Sequence, residues 1–262
     1  MIGRMLSRLF LIALAGCGRI GFGATEPPPT DGVAQQDGPP ADAEPQPLQN
    51  GCATTHPGVL LCEGFEAPDV EWDYEVLEGE GASAARTTER GAQGSASLKI
   101  NIGGDNEFKA ARWGLNVVLP SLAGGELHVR EYVWMTGTTT ISDQLSIMVT
   151  GNMNDPFPSA NVLLTPGEIH AVVEGQDVAA DFEFPRDRWV CVEIHIAIAS
   201  TNGSFLIDVD GVPVAGASGL DTAVQGGYTN LDVGVHYATP AQSSAKLFID
   251  EIVADTAAIG CN

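Results

Sequence analysis

Val190, Val192, Ile194, Ile196 and Ile198 alternate with Cys191, Glu193, His195 and Ala197, so hydrophobicity repeats at every second residue without a break. Only an extended strand gathers such residues on one face, and that face must look into an apolar core. Phe205, Ile207 and Val209 repeat the pattern ahead of the turn pair Asp210-Gly211; Leu231, Val233 and Val235 follow, then Leu247 and Ile249. Runs at 95–102, 108–119, 126–135, 144–150 and 168–174 behave alike. Turn formers separate them: Gly103-Gly104-Asp105, Gly124-Gly125, Asn152 to Pro158, Thr201-Asn202-Gly203 and Gly226-Gly227. No segment keeps a helical period for three turns. About a dozen short strands joined by such turns predict an all-β chain, a two-sheet antiparallel sandwich or barrel. No internal repeat is visible, which argues against a propeller.

The first fifty residues have a different character. Arg4 and Arg8 precede the apolar run Leu9 to Ala15, too short to span a bilayer, so residues 1–16 read as a signal peptide. Leu14-Ala15-Gly16-Cys17 resembles the lipobox of bacterial lipoproteins, which implies cleavage before Cys17 and acylation of that residue. Gly18 rather than Asp follows it, so the inner-membrane retention signal of lipoproteins is missing and a lipid-anchored place in the bacterial outer membrane is expected. Acyl chains contribute about 0.8 kcal/mol per buried methylene. From Ala24 to Asn50 there are seven prolines and five acidic residues but no Lys or Arg. Such a stretch cannot offset its ordering entropy, so residues 17–50 read as a lipidated cysteine and disordered tether ahead of a domain at 51–262. Across the chain 34 acidic residues face 12 Lys and Arg, a formal charge of −22 that excludes a nucleic-acid binder built on phosphate contacts.

Within the domain, Leu61-Cys62-Glu63-Gly64-Phe65-Glu66, Trp189-Val190-Cys191-Val192-Glu193 and Leu247-Phe248-Ile249-Asp250-Glu251-Ile252-Val253 resemble segments of concanavalin A-like lectin/glucanase jelly rolls. The strand and turn Phe205 to Pro213, centred on Val209-Asp210-Gly211, is similar to a hairpin of the laminin G-like members. The resemblance implies a jelly-roll sandwich whose concave face binds or cleaves polysaccharide. It also implies a structural Ca²⁺ held by oxygens of the first and last strands, for which Glu66 and Asp250 stand at matching positions.

With Cys17 lipidated, Cys52, Cys62, Cys191 and Cys261 form an even set in an exported protein. Three pairings are possible. Cys52–Cys62 with Cys191–Cys261 is the favoured one, worth about 3 and 4 kcal/mol by loop entropy.

The strand at 126–135 carries His128, Arg130, Tyr132 and Trp134 on one face. Alternate residues stand about 6.6–7 Å apart, so the four form a row of rings and donors suited to stacking on sugars and fixing their hydroxyls. Arg112, Gln144 and His170 are expected to join the row, with Asn116, Ser146 and His236 on neighbouring strands. Packing of Trp134 and Tyr132 under a loop is the competing expectation. The function expected is non-catalytic glycan binding by a monomer. A polysaccharide lyase using Arg130, Gln144, His170 and Tyr132, with Arg112 or Tyr237 as substitutes, is the first alternative. A protein-binding adhesion module is the second. Glu71-Trp72-Asp73-Tyr74-Glu75 resembles the acidic strand of jelly-roll glucanases only superficially, and reads as a solvated edge.

Overall fold

The structure, a computed structural model, describes residues 59–67, 72–104, 106–116, 119, 124–152 and 160–261. The signal peptide, Cys17, the tether, Cys52 and the expected domain start at 51 lie outside the described residues. Among those described there are fifteen strands and no helix. In chain order they are β1 (Leu61–Glu63), β2 (Tyr74–Glu78), β3 (Ser83–Thr87), β4 (Ser97–Ile102), β5 (Lys109–Asn116), β6 (Gly125–Met135), β7 (Leu145–Gly151), β8 (Ala160–Thr165), β9 (Glu168–Val173), β10 (Gln176–Asp181), β11 (Trp189–Ile198), β12 (Gly203–Val209), β13 (Val212–Leu220), β14 (Asn230–Ala238) and β15 (Ala245–Asp255).

They build two antiparallel sheets that pack face to face as a jelly-roll sandwich. One has eight strands in the order β13-β12-β11-β6-β15-β4-β3, with β1 paired on β15. The other has seven, in the order β10-β9-β8-β7-β14-β5-β2. The alternation in the sequence decides which residues face inward. Val190, Val192, Ile194, Ile196 and Ile198 of β11 are buried against Phe205 and Ile207 of β12 and Leu127, Val129 and Val133 of β6. Leu231, Val233 and Val235 of β14 supply the opposing layer with Met148, Val162, Leu164, Ile169 and Ala171. The Asp210-Gly211 turn closes β12 onto β13 with φ of 51° and 74°, the left-handed pair a two-residue hairpin requires. Pro213, which cannot donate to a ladder, sits on the edge strand β13, where one is tolerated.

One inward position breaks the apolar rule. Glu131 lies between Val129 and Val133 on the inner face of β6, is 0% exposed, and neither carboxyl oxygen has a hydrogen-bond partner. Burial pushes its pKa well above the ordinary 4.5. Folding therefore favours the protonated carboxyl over the ionised one, relative to the unfolded chain. The stability tied to this group is complete below the unfolded pKa and is lost as pH rises toward the folded one. Glu131→Met keeps the volume and removes the unpaired polar atoms. It is expected to raise unfolding free energy by about 1–3 kcal/mol at pH 5, with a larger gain at pH 8. Urea melts at both pH values check this; a gain that shrinks with pH would contradict the assignment.

Candidate functional site

The outward face of the seven-stranded sheet holds a compact polar cluster around Asp232. Asp232 stands between the inward Leu231 and Val233 and so projects outward, yet it is only 3% exposed because three side chains converge on it. The Tyr74 hydroxyl donates to Oδ1. His236 Nδ1 lies 2.8 Å from Oδ2, and Arg112 Nε lies 3.1 Å from the same oxygen. Arg112 also donates from Nη1 to the His236 carbonyl at 2.6 Å.

Local backbone geometry makes this convergence possible. An even strand would hold residues 232 and 236 about 13 Å apart. In β14 the pairing with β5 jumps between Val235 and Ala238, and Gly234 has a φ of 113°, so the strand is shortened and bent there. The bulge also turns His236 and Tyr237 to the same side, with Tyr237 opposite Ser146 of β7. Across the strand, Gly114 of β5 leaves room for the Tyr74 ring; a Cβ there would lie 2.0 Å from the ring.

The electrostatics follow from burial. Tyr74 is pushed well above the usual phenol range by desolvation and by Asp232, and Tyr237 is raised by desolvation despite a hydrogen bond with Asn161. Both hydroxyls therefore keep their protons at neutral pH. Among the described residues His236 Nε2 makes no hydrogen bond; the polar contacts of that residue run through Nδ1 and its carbonyl, and its ring meets Tyr237. The side-chain oxygens of Asn116 and Asn230, neighbours across β5 and β14, are buried without a hydrogen-bond partner. Three unspent groups thus surround the Asp232 hub.

The residues expected to form one row are divided between the two sheets. Arg112 and His170 do lie on this face, but four strand spacings apart, about 19 Å. His170 is also fully engaged, with Nδ1 2.9 Å from Asp177 and Nε2 3.0 Å from the Thr165 hydroxyl. Gln144 is half-buried just before β7, where its carbonyl accepts the Thr239 N–H at 3.3 Å. His128, Arg130, Tyr132 and Trp134 share one face as expected, but that face is the outer side of the eight-stranded sheet, and it is covered. Arg130 is 1% exposed and donates to the Gly260 carbonyl of the C-terminal tail at 3.1 Å. The Arg90 guanidinium lies 3.7 Å from the centre of the Trp134 ring, which meets Trp189 edge-on. These rings pack beneath the segment around Arg90 and the segment ending at Cys261. The structure therefore does not gather the seven residues into one trough.

The tail is held by the disulfide Cys191–Cys261, which closes a 70-residue separation as expected. Cys62 is disulfide-bonded too, and its expected partner Cys52 lies outside the described residues. Glu66 and Asp250 approach one loop from two sides. Glu66 accepts N–H bonds from Ser95 and Ala96 and the Ser95 hydroxyl; Asp250 accepts the N–H groups of Ala92 and Glu251. All four oxygens meet hydrogen-bond donors, and burial lifts Asp250 to about 8, so the pair as arranged does not fit a shared Ca²⁺. Of the acidic segment near the start of the domain, Asp73 accepts the Asn116 N–H and Glu75 the Trp113 indole N–H, which are structural roles.

No family model matches the chain, and no curated protein matches it in sequence. The fold is similar to an endo-β-1,4-glucuronan lyase from the fungus Trichoderma reesei, with TM-score 0.59 and 16% identity over 75% of this chain and 94% of the lyase. It is equally similar to the cellulose induced protein Cip1, with TM-score 0.59 and 14% identity over 77% of this chain and 100% of Cip1. The binding domain of botulinum neurotoxin DC, in complex with SialylT, matches with TM-score 0.53 and 8% identity, covering 76% of this chain and 48% of that one. The likeness is one of fold.

Replacing Cys191 and Cys261 together by Ala is expected to cost about 4 kcal/mol and to open the tail to protease. Guanidinium unfolding and limited proteolysis check this; an unchanged midpoint and an intact tail would show that packing alone holds the segment.

Proposed function

We propose that the chain is an envelope-anchored lipoprotein that binds polysaccharide on the outward face of its seven-stranded sheet. The observation that carries this reading is the Asp232 hub, ringed by Arg112, Tyr74 and His236 and flanked by the unpartnered amide oxygens of Asn116 and Asn230. A buried acceptor without a partner costs about 1–3 kcal/mol, and a sugar hydroxyl is a donor of the size and direction to relieve it. Tyr74 and Tyr237 add ring surface for the C–H faces of a pyranose. From β2 to β10 the sheet is about 29 Å wide at normal strand spacing, room for several sugar rings in an extended chain. Solved structures of similar fold are named for acting on glucuronan or are described in complex with SialylT, which supports a glycan ligand. Kinship with the concanavalin A-like and laminin G-like domains, acylation at Cys17, an acidic tether, a bacterial outer-membrane address and a monomeric state complete the reading.

A second reading, eliminative cleavage of a uronate polymer, is favoured by one specific arrangement. His236 is oriented through Nδ1 by Asp232 and leaves Nε2 open to take a proton. Tyr237 beside it, 6.3 Å between ring centres, keeps a proton to give. Arg112 would neutralise the carboxylate.

A glycan array followed by titration calorimetry tests binding. Arg112→Ala and Asn230→Ala are expected to weaken affinity about 10–100-fold each, the range of hydrogen bonds involving charged or buried groups. Arg130→Ala is expected to lower stability while leaving affinity unchanged in the folded fraction. Loss of binding in Arg130→Ala but not Arg112→Ala would move the site to the other sheet. Release of unsaturated uronate, absent in His236→Ala, would establish the second reading. For the anchor, Cys17→Ser is expected to shift the protein from membranes to the soluble fraction and abolish labelling by a fatty-acid analogue.

A further inference from the structure

The opposite sheet carries a cluster that the saccharide reading does not use. His128 of β6 and His195 of β11 are directly paired across the ladder, and their rings stack at 4.3 Å between centres. Glu126, two residues before His128 on the same face, points its Oε2 between them, 3.8 Å from His128 Nε2 and 3.9 Å from His195 Nε2. Both separations are too long for hydrogen bonds. His195 Nε2 is buried with no hydrogen-bond partner. One ligand atom from each of the three residues lies within 4.8 Å of the others.

The surroundings prepare the cluster for an ion. His128 Nδ1 lies 3.3 Å from Glu193 Oε1, which fixes the tautomer and leaves the Nε2 lone pair facing Glu126. Glu193 in turn accepts the N–H groups of Ile259 and Gly260, which hold its carboxylate in place. It is an outer carboxylate behind a histidine ligand, as metal sites commonly have. His195 presents its buried, unpartnered Nε2 from the facing strand, where a lone pair can reach an ion. Glu126 is more than half exposed, which leaves the ion a route in and a place for water.

We propose that Glu126, His128 and His195 bind a divalent d-block cation, with Zn²⁺ as the reference ion and water completing the coordination. Two imidazoles and one carboxylate suit Zn²⁺, Cu²⁺ or Ni²⁺, and are a poor set for Ca²⁺ or Mg²⁺. Ligands 2.0–2.1 Å from a tetrahedral ion stand about 3.4 Å apart, so closure shortens the two Glu126–imidazole separations of 3.8 and 3.9 Å by about half an ångström and draws in the third pair, which lies within 4.8 Å, by up to about 1.4 Å. It also requires the stacked rings to turn about χ2, a soft torsion, so that their lone pairs converge. The ion would bridge β6 and β11 beside Glu193, the carboxylate that accepts the tail N–H groups of Ile259 and Gly260.

Full-length protein stripped with chelator and titrated with ZnCl₂ in a calorimeter is expected to bind one ion at this site, and its thermal midpoint is expected to rise with Zn²⁺ but not with Ca²⁺. His195→Ala and Glu126→Gln, both on the outer face, are each expected to weaken binding at least tenfold and to remove the midpoint shift. Glu126→Gln keeps shape at an exposed position, so it serves where His195→Ala unfolds. Co²⁺ bound to the wild type is expected to give the visible bands of a four-coordinate site, lost in both variants. Absence of Zn²⁺ binding, or binding undiminished in both variants, would overturn the proposal.

Discussion

Strand β6 is paired with β11 on one side and β15 on the other, and this double ladder determines where the chemistry of the eight-stranded sheet can go. Once Leu127, Val129, Val133 and Met135 are committed to the core, His128, Arg130, Tyr132 and Trp134 must all emerge on the far side. That side is roofed by the tail that Cys191–Cys261 holds down. The most recognition-like row in the sequence is therefore spent on an interior: Arg130 satisfies a tail carbonyl, and Trp134 receives the Arg90 guanidinium. Glu131 is the exception that tests the rule, since its position in the alternation drives a carboxyl inward with nothing to meet it.

The two sheets have divided labour as a result. One outer face is closed over by protein and holds a compact histidine cluster at its rim. The other keeps an array of hydroxyls, amides and one guanidinium around an almost fully buried aspartate. Its polar groups are oriented by one another, which is how a surface becomes preorganised.

Much of the architecture is legible in the residues because the main strands alternate so cleanly. β4, β6, β9, β11 and β12 fall within a residue or two of their expected bounds, and the all-β sandwich follows from them. β8 escapes because Val162-Leu163-Leu164 is a continuous apolar run, and β3 and β10 because small and polar residues blur their period. Periodicity states that two residues share a face but not what lies above it, so the covering of Arg130 by a tail 130 residues away was out of reach. The Asp232 hub was within reach: a lone acid between Leu231 and Val233 must face outward, and His236 and Tyr237 follow it closely. What no alternation could supply was the partner Tyr74, brought from an edge strand 158 residues distant.

The bulge in β14 has a consequence for how this surface tolerates change. Point substitutions at Val235 or Ala238 alter packing by degrees, because each side chain keeps its direction. Losing one residue from the interval between Gly234 and Ala238 is another matter. The chain would regain its even pleat, and one member of the His236–Tyr237 pair would swing into the hydrophobic layer. Chain length across these few positions, more than their chemistry, is what keeps both rings facing the solvent.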